Sequence, residues 1–228
     1  MTPSSISVTI PAHNAEAFLR DAIESVLQQS TPHELIVVND GSTDATASII
    51  ASYGERVHAI HQEQRGLGAA RNRGIRASRS EWIAFLDADD LWTPDKLRRQ
   101  AAVLSARSEI DLVFGHCVEF TKSGSGARWV ARTEPFPAYS ACAMLARRAR
   151  FDRVGGFSES GKIGEFMDWY SRACDSGAEC AMLEEVVFQR RVHDSNMTRV
   201  TRDKRSQYLD VVSAHLRRRR AGMSGRPE

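Results

Sequence analysis

Three polar clusters stand directly after apolar runs in the first half of the chain: Pro11 to Glu16, Asn39 to Asp44, and Asp87-Ala88-Asp89-Asp90. The last carries the clearest chemistry. Two carboxylates at spacing two can reach a hard divalent cation and leave coordination positions for phosphate oxygens. Such a cation neutralises a diphosphate as it departs. Capping a turn and the helix after it is a simpler role for the same acids. The context argues for more, because Trp82 to Leu86 reads as a buried strand that carries them to the rim of a sheet. No GxGxxG follows the first strand and no GxxxxGK[ST] is present, so phosphates need a device other than a glycine-rich loop.

The elements that position these clusters follow from periodicity. Ile6, Val8 and Ile10 alternate with polar residues until Pro11, a first strand. Asn14 is a candidate cap for a helix whose apolar positions Phe18, Leu19, Ala22, Ile23, Val26 and Leu27 recur at helical spacing. Leu35 to Val38 is the uninterrupted apolar run of a strand covered on both faces. Thr43 or Asp44 opens a helix reaching about Tyr53, Val57 to Ile60 reads as a short strand, and Gly66 to Ala77 as a loop running into a helix. This alternation predicts an α/β fold with a mostly parallel sheet flanked by helices. In such a sheet ligands bind beyond the carboxyl ends of the strands, where the three clusters lie. Thr93 as cap with Pro94 at the first position predicts a further helix. Beyond Ser105 the pattern loosens. Ile110 to Gly115 and Cys142 to Leu145 read as strands, Lys122 to Ala127 and Glu134 to Pro137 as irregular, Glu165 to Ser176 as a helix, and Ala181 to Val192 as a last extended stretch.

Composition narrows the class. With 228 residues, 42% apolar and 26% charged, the chain can bury a core without disulfides or a structural metal. A formal net charge of +2 gives no reason to expect nucleic acid as partner. The start lacks the features of a signal peptide, and no apolar run approaches the roughly 20 residues that span a bilayer, so a cytoplasmic location is expected. Cys117, Cys142, Cys174 and Cys180 show no CxxC spacing and are expected to be buried free thiols.

The stretches SVTIPAHNAEAFLRDAIESVLQQS, LIVVNDGSTDAT, GLGAARNRGI and WIAFLDADDLWTPDKL, in that order, resemble the nucleotide-sugar-dependent glycosyltransferases of family 2, which have the GT-A fold. The likeness is close over about residues 5 to 100 and continues more loosely to about residue 200 through FDRVGGF, the segment around Glu165, and RRVHDSNMT. It implies a single GT-A domain over residues 1–228: a donor half to about residue 100, an acceptor half over about 101–200, and a basic C-terminal helix or tail over 201–228. It implies that Pro11, Ala12, His13, Asn14 and Glu16 cradle the base and ribose. Asp40 would hydrogen-bond the base edge, usually uracil, and Arg71 would lie near base and phosphates. Asp87 and Ala88 would line the donor site, and Asp87, Asp89 and His193 would serve a divalent metal, manganese or magnesium. Simpler roles exist for each: Asp40 can stabilise its own Asp-Gly turn, Arg71 can pair with a surface acid, and Glu16 can be a first-turn acid favoured by the helix dipole.

The resemblance further implies an inverting transfer from a nucleotide-sugar, in the first place a UDP-sugar, with a carboxylate general base. Relatives place that base as the aspartate of a Glu-Asp pair at the start of the late helix. Anchored on Arg172, that position is here Phe166, a departure from the pattern. Glu165 and Asp168 are the available substitutes, three apart on one helical face. An Asp168–Arg172 ion pair would leave Glu165 as the freer carboxylate, and Glu165 is the preferred base. The departure also leaves open a degenerate nucleotide-sugar-binding protein. A sugar nucleotidyltransferase is less favoured, because PAHNAEAF lacks its glycine-rich signature. The acceptor, whether sugar, lipid-linked sugar, peptide or small molecule, is not legible. Trp129, Phe136, Tyr139 and Trp169 could stack on it, and Arg217 to Arg220 could make a weak peripheral membrane contact or lie in a solvated tail.

Overall fold

The computed structural model describes residues 5–121, 131–160 and 164–193, together with positions 196, 213, 215 and 217. Strands β1 (Ile6–Ala12), β2 (Glu34–Asp40), β3 (His58–Gln62) and β4 (Trp82–Phe85) alternate with helices α1 (Leu19–Leu27), α2 (Thr46–Ala51) and α3 (Leu67–Ala77). After β4 come β5 (Leu91–Trp92), α4 (Lys96–Ala106), β6 (Leu112–Phe120), β7 (Phe136–Ala138), β8 (Leu145–Arg147), α5 (Arg148–Val154), α6 (Glu165–Asp175) and β9 (Cys180–Arg191).

Among the described residues the strands form one sheet in the order β3-β2-β1-β4-β8-β6-β9-β5, with β7 paired to β6. The long ladders are parallel: β1 with β2 and β4, β2 with β3, and β6 with β9. The antiparallel ones, which join β8 to β4 and β6 and pair β5 with β9, are short. From β1 the chain runs outward through β2 and β3, then returns to β4 on the other side of β1. The order therefore reverses between β1 and β4, and a crevice opens beyond their carboxyl ends.

Local sequence explains the first half of the chain. Leu35 to Val38 and all of β1 are buried, as a strand covered on both faces requires. Helix α1 buries Leu19, Ala22, Ile23 and Val26, the stripe its periodicity predicts. Helix α3 approaches β1 closely at Gly74, where a Cβ would stand 2.2 Å from Thr9 Cγ2. No helix among the described residues is long and apolar enough to cross a membrane.

Several expectations need correction. Asn14 caps no helix: its φ is +48°, α1 starts at Leu19, and its Oδ1 accepts the Thr43 N–H at 2.8 Å. Thr93 is likewise no side-chain cap, because its hydroxyl donates to the Val186 carbonyl and α4 begins at Lys96. The helix predicted from Thr43 or Asp44 is shorter, Thr46–Ala51. Cys142 to Met144 form a turn, and the strand starts at Leu145. Phe136–Ala138, inside a stretch read as irregular, is a strand, and β5 was hidden between the acidic cluster and Thr93. Of the cysteines, Cys117 and Cys142 are buried, Cys180 is half-buried and Cys174 is exposed. Trp129, Lys122 to Ala127 and Arg218 to Arg220 lie outside the described residues.

Candidate active site

The loops after β1, β2, β3 and β4 line a cavity of about 840 Å³ that the turn before β8 and the start of α6 close on the far side. Pro11, Ala12, His13 and Asn14 form one end of it. Asp40, at the carboxyl end of β2, faces the same space but is heavily engaged. Its Oδ1 accepts the Gln62 side-chain N–H at 2.7 Å and the Arg65 amide at 2.9 Å, and its Oδ2 accepts the Gly66 amide at 2.7 Å. The acid thus moulds the loop from Gln62 to Gly66. Glu16 does not line the cavity: its Oε2 accepts the Ala45 N–H at 2.9 Å, and its own amide donates to Asp44. It clasps two loops together and touches the site only through them.

The acidic cluster sits where β4 ends. Asp87 Oδ1 accepts from Arg71 Nη2 at 2.6 Å, while Arg71 Nη1 donates to Glu165 Oε1 at 2.7 Å. Arg71 is 3% exposed and joins the end of β4 to the first turn of α6. Burial opposes its charge, but Asp87 and Glu165 outweigh that and raise its pKa above the usual value. The neighbouring Asn72 bolts the same junction, with Nδ2 donating to the Phe157 carbonyl and Oδ1 accepting the Phe157 N–H, each at 2.8 Å. Gly156 lies against that amide, and a Cβ there would come within 2.3 Å of Asn72 Oδ1. The ARNRG and VGGF segments are therefore two sides of one contact.

Asp89 turns toward the end of β9. Its Oδ2 lies 3.0 Å from His193 Nε2 and 3.2 Å from Asn196 Nδ2, and the His193 ring packs 4.6 Å from that of Phe18. Asp90 is buried, accepts the Arg191 N–H at 2.8 Å, and has its carboxyl pushed well above the usual range by burial and by Asp89 and Asp87. One ligand atom each from Asp87, Asp90 and Cys142 fall within 4.8 Å of one another. Crowded carboxylates with an imidazole beside them suit a hard or borderline divalent cation. Cys142 is the misfit, since burial pushes its thiol up and its sulfur accepts the Asp87 N–H at 3.4 Å. Of the expected ligands, Asp89 and His193 lie together at the end of β9, whereas Asp87 falls in the separate group with Asp90 and Cys142.

The two substitutes for the base separate in space. Asp168 pairs with Arg172 at 3.0 Å, as its spacing suggests, and does not line the cavity. Glu165 does line it, but it is not the freer of the two: Arg71 holds it, across 94 positions of sequence. Phe166 stacks on Tyr170 with ring centroids 5.9 Å apart and meets Phe114 edge-on, so the departure from the family pattern belongs to an aromatic wall. Tyr139 (50% exposed) and Met167 (45%) border the cavity beside it, and Phe136 lies on the same side. Trp169 is core, stacked 4.3 Å from Phe151. Sequence reasoning gave no site role of their own to Gln64, Asp90, Cys142 and Asn196, all of which line the cavity. Asn196 stood within the quoted RRVHDSNMT segment, three residues after His193, and was legible there.

A parallel α/β half with an acidic strand end, facing a second half that places a carboxylate across one cavity, defines a GT-A nucleotide-sugar transferase architecture. Residues 7–158 match the model of glycosyl transferase family 2, and the chain belongs to that family. An uncharacterized glycosyltransferase of Rickettsia typhi is 29% identical over 230 residues, covering 93% of this chain and 72% of its own length. Staphylococcus aureus TarS 1-349 in complex with UDP-GlcNAc superposes with a TM-score of 0.69 at 21% identity, over 84% of this chain and 60% of that one. The mannosyltransferase PcManGT from Pyrobaculum calidifontis, in complex with GDP-Man and Mn2+, gives 0.73 at 21% identity, over 95% of this chain and 65% of its own. At these identities the two structures speak for the fold, and this chain spans less than two thirds of either.

Proposed function

We propose that this glycosyltransferase moves a sugar from a UDP-sugar to an acceptor hydroxyl, with inversion at the anomeric carbon and with a divalent cation. The observation that carries the reading is the placement of Glu165 and of the acidic end of β4 on one cavity, linked through Arg71. The nucleotide-sugar complexes of the fold neighbours support the donor class, and UDP-GlcNAc and GDP-Man mark the two bases to be compared.

In this reading Pro11 to Asn14 and the loop moulded by Asp40 receive the nucleoside. Asp89 and His193, with Asp87, would hold the cation, which when bound neutralises charge on the departing diphosphate. Glu165 accepts the proton of the acceptor hydroxyl at Oε1 or Oε2 as the acceptor oxygen bonds to the anomeric carbon and the bond to diphosphate breaks. Arg71 holds that carboxylate in place. Phe166 and Tyr139, backed by the Tyr170 ring, border the acceptor side.

The test is calorimetric titration with UDP in the presence of manganese, then of EDTA. Wild type should bind UDP in a manganese-dependent way, and Asp89→Ala should lose that dependence while keeping its melting temperature. Manganese-dependent UDP binding retained by Asp89→Ala would remove Asp89 from the metal assignment. Absence of nucleotide binding by the wild type would remove the donor assignment.

A further inference from the structure

Cys117 and Cys142 belong to the core, but Cys174 and Cys180 meet at the turn between α6 and β9. Five residues separate them, Asp175 to Glu179. Gly177, at φ +82°, ends α6 in a tight reversal. Its N–H donates to the Cys174 carbonyl at 2.9 Å, and the Ala178 N–H donates to the Ala173 carbonyl at 3.1 Å. The far side of the turn is equally fixed. Cys180 pairs with Leu112 of β6, and the Glu179 carbonyl accepts the Asp111 N–H at 2.9 Å. Helix and strand thus hold one sulfur each.

The two side chains are in contact. Cys174 Sγ accepts hydrogen bonds from the Cys180 thiol and from the hydroxyl of Tyr170, one helical turn earlier. Cys180 Sγ also lies 3.7 Å from the Ala178 carbonyl oxygen. Side chains already in hydrogen-bond contact have the reach that a disulfide needs. Cys174 is exposed, so a small oxidant can approach it from solvent. Donation by Cys180, helped by Tyr170 and the nearby His215, outweighs burial and Asp175 and brings the Cys174 thiol down to about 6. The thiolate is the form that attacks an oxidant. The core cysteines differ on each count: burial pushes both thiols up, and Cys142 Sγ already accepts the Asp87 N–H.

We propose that Cys174 and Cys180 form a reversible oxidation site for peroxides, with Cys174 the attacking thiol and Cys180 the resolving one. The Cys174 sulfur bonds to one peroxide oxygen as the O–O bond breaks. The products are a sulfenic acid at Cys174 and a hydroxide that solvent protonates to water. The Cys180 sulfur then displaces the sulfenic hydroxyl, which leaves as a second water with the Cys180 proton, and the S–S bond forms. Each sulfur gives up one electron, and the peroxide takes both. A dithiol reductant returns the two thiols. The bridge closes the end of the helix that begins at Glu165. Tyr170 joins it to the cavity wall, since its ring stacks on Phe166 at 5.9 Å and lies 5.7 Å from that of Tyr139. Neither cysteine enters the donor, metal or base assignments, so the site stands or falls apart from them.

The test exposes the reduced full chain to hydrogen peroxide, after removal of reductant, and counts free thiols under denaturing conditions. Four should fall to two, and dithiothreitol should restore them. Trypsin cuts after Arg172 and Arg190, which leaves both cysteines on the peptide Ala173 to Arg190. That peptide should be lighter by two hydrogen atoms, and its halves should stay joined after cleavage at Glu179. Cys180→Ser should stop at the sulfenic acid of Cys174, trapped by dimedone, with no bridge. Cys174→Ser should slow thiol loss by about tenfold or more, because the exposed thiol is gone. Unchanged melting temperatures verify that both serine variants fold. Survival of all four wild-type thiols, or a bridge to Cys117 or Cys142, overturns the assignment. So does thiol loss without any bridge, or loss at the wild-type rate in Cys174→Ser.

Discussion

Replacing Arg71 by Met keeps much of the side-chain volume and deletes the cation between Asp87 and Glu165. Removing one partner of a buried ion pair costs about 3–5 kcal/mol, because the charges left behind are uncompensated. Here Arg71 is 3% exposed, but Glu165 is 14% and Asp87 31% exposed, so water reaches both carboxylates and the lower end, about 3 kcal/mol, applies. For a chain of this size that corresponds to a fall in Tm of roughly 6–12 °C. Thermal unfolding of wild type and Arg71→Met at one pH measures that deficit. Arg71→Lys, with one point charge in place of a fork, should fall between them. A gap below about 1 kcal/mol refutes the account of Arg71 as the cation that holds Asp87 and Glu165 together.

Two further outcomes concern other groups. Glu165→Gln should lower turnover by about 10²-fold or more with UDP affinity kept, as loss of a general base requires; Asp168→Asn should leave turnover within a few-fold and show its effect in stability, through Arg172, which also donates to the Gly156 carbonyl at 2.7 Å. Reversal of those two roles would move the base to Asp168. Lys96 is fully buried, donates to Gln100 Oε1 at 2.6 Å and lies over the Trp92 ring; burial pushes its ammonium down to about 7 from 10.5. The unfolded chain therefore binds the extra proton between those values, and stability should climb by up to about 1.4 kcal/mol per pH unit across that window. Urea unfolding of Lys96→Met should show that slope removed, and an unaltered slope would assign it to other groups.

The first half of the chain was largely legible because its signals are local. Strand alternation, the apolar run Leu35 to Val38 and the acidic triplet after Trp82 to Leu86 each occupy a few consecutive residues. Burial on one or both faces of a strand shows directly in such a pattern. The second half was less legible, because β7 and β8 are three residues each and exist through pairing with distant strands. Caps failed for a related reason. Asn14 has the right side chain for a cap, but Thr43, 29 residues on, takes it.

Which residue types gather at the strand ends, and that no glycine-rich phosphate motif is among them, was determined by the sequence alone. The family followed from four ordered motifs. Only the tertiary structure decided how those residues divide the work. Asp40 spends its oxygens on a loop; Glu165 meets Arg71 and Asp168 does not; Phe166 joins a ring stack in place of a carboxylate. Each outcome is a competition for one partner among groups tens of residues apart, and spacing along the chain carries no record of which contact is closest in space.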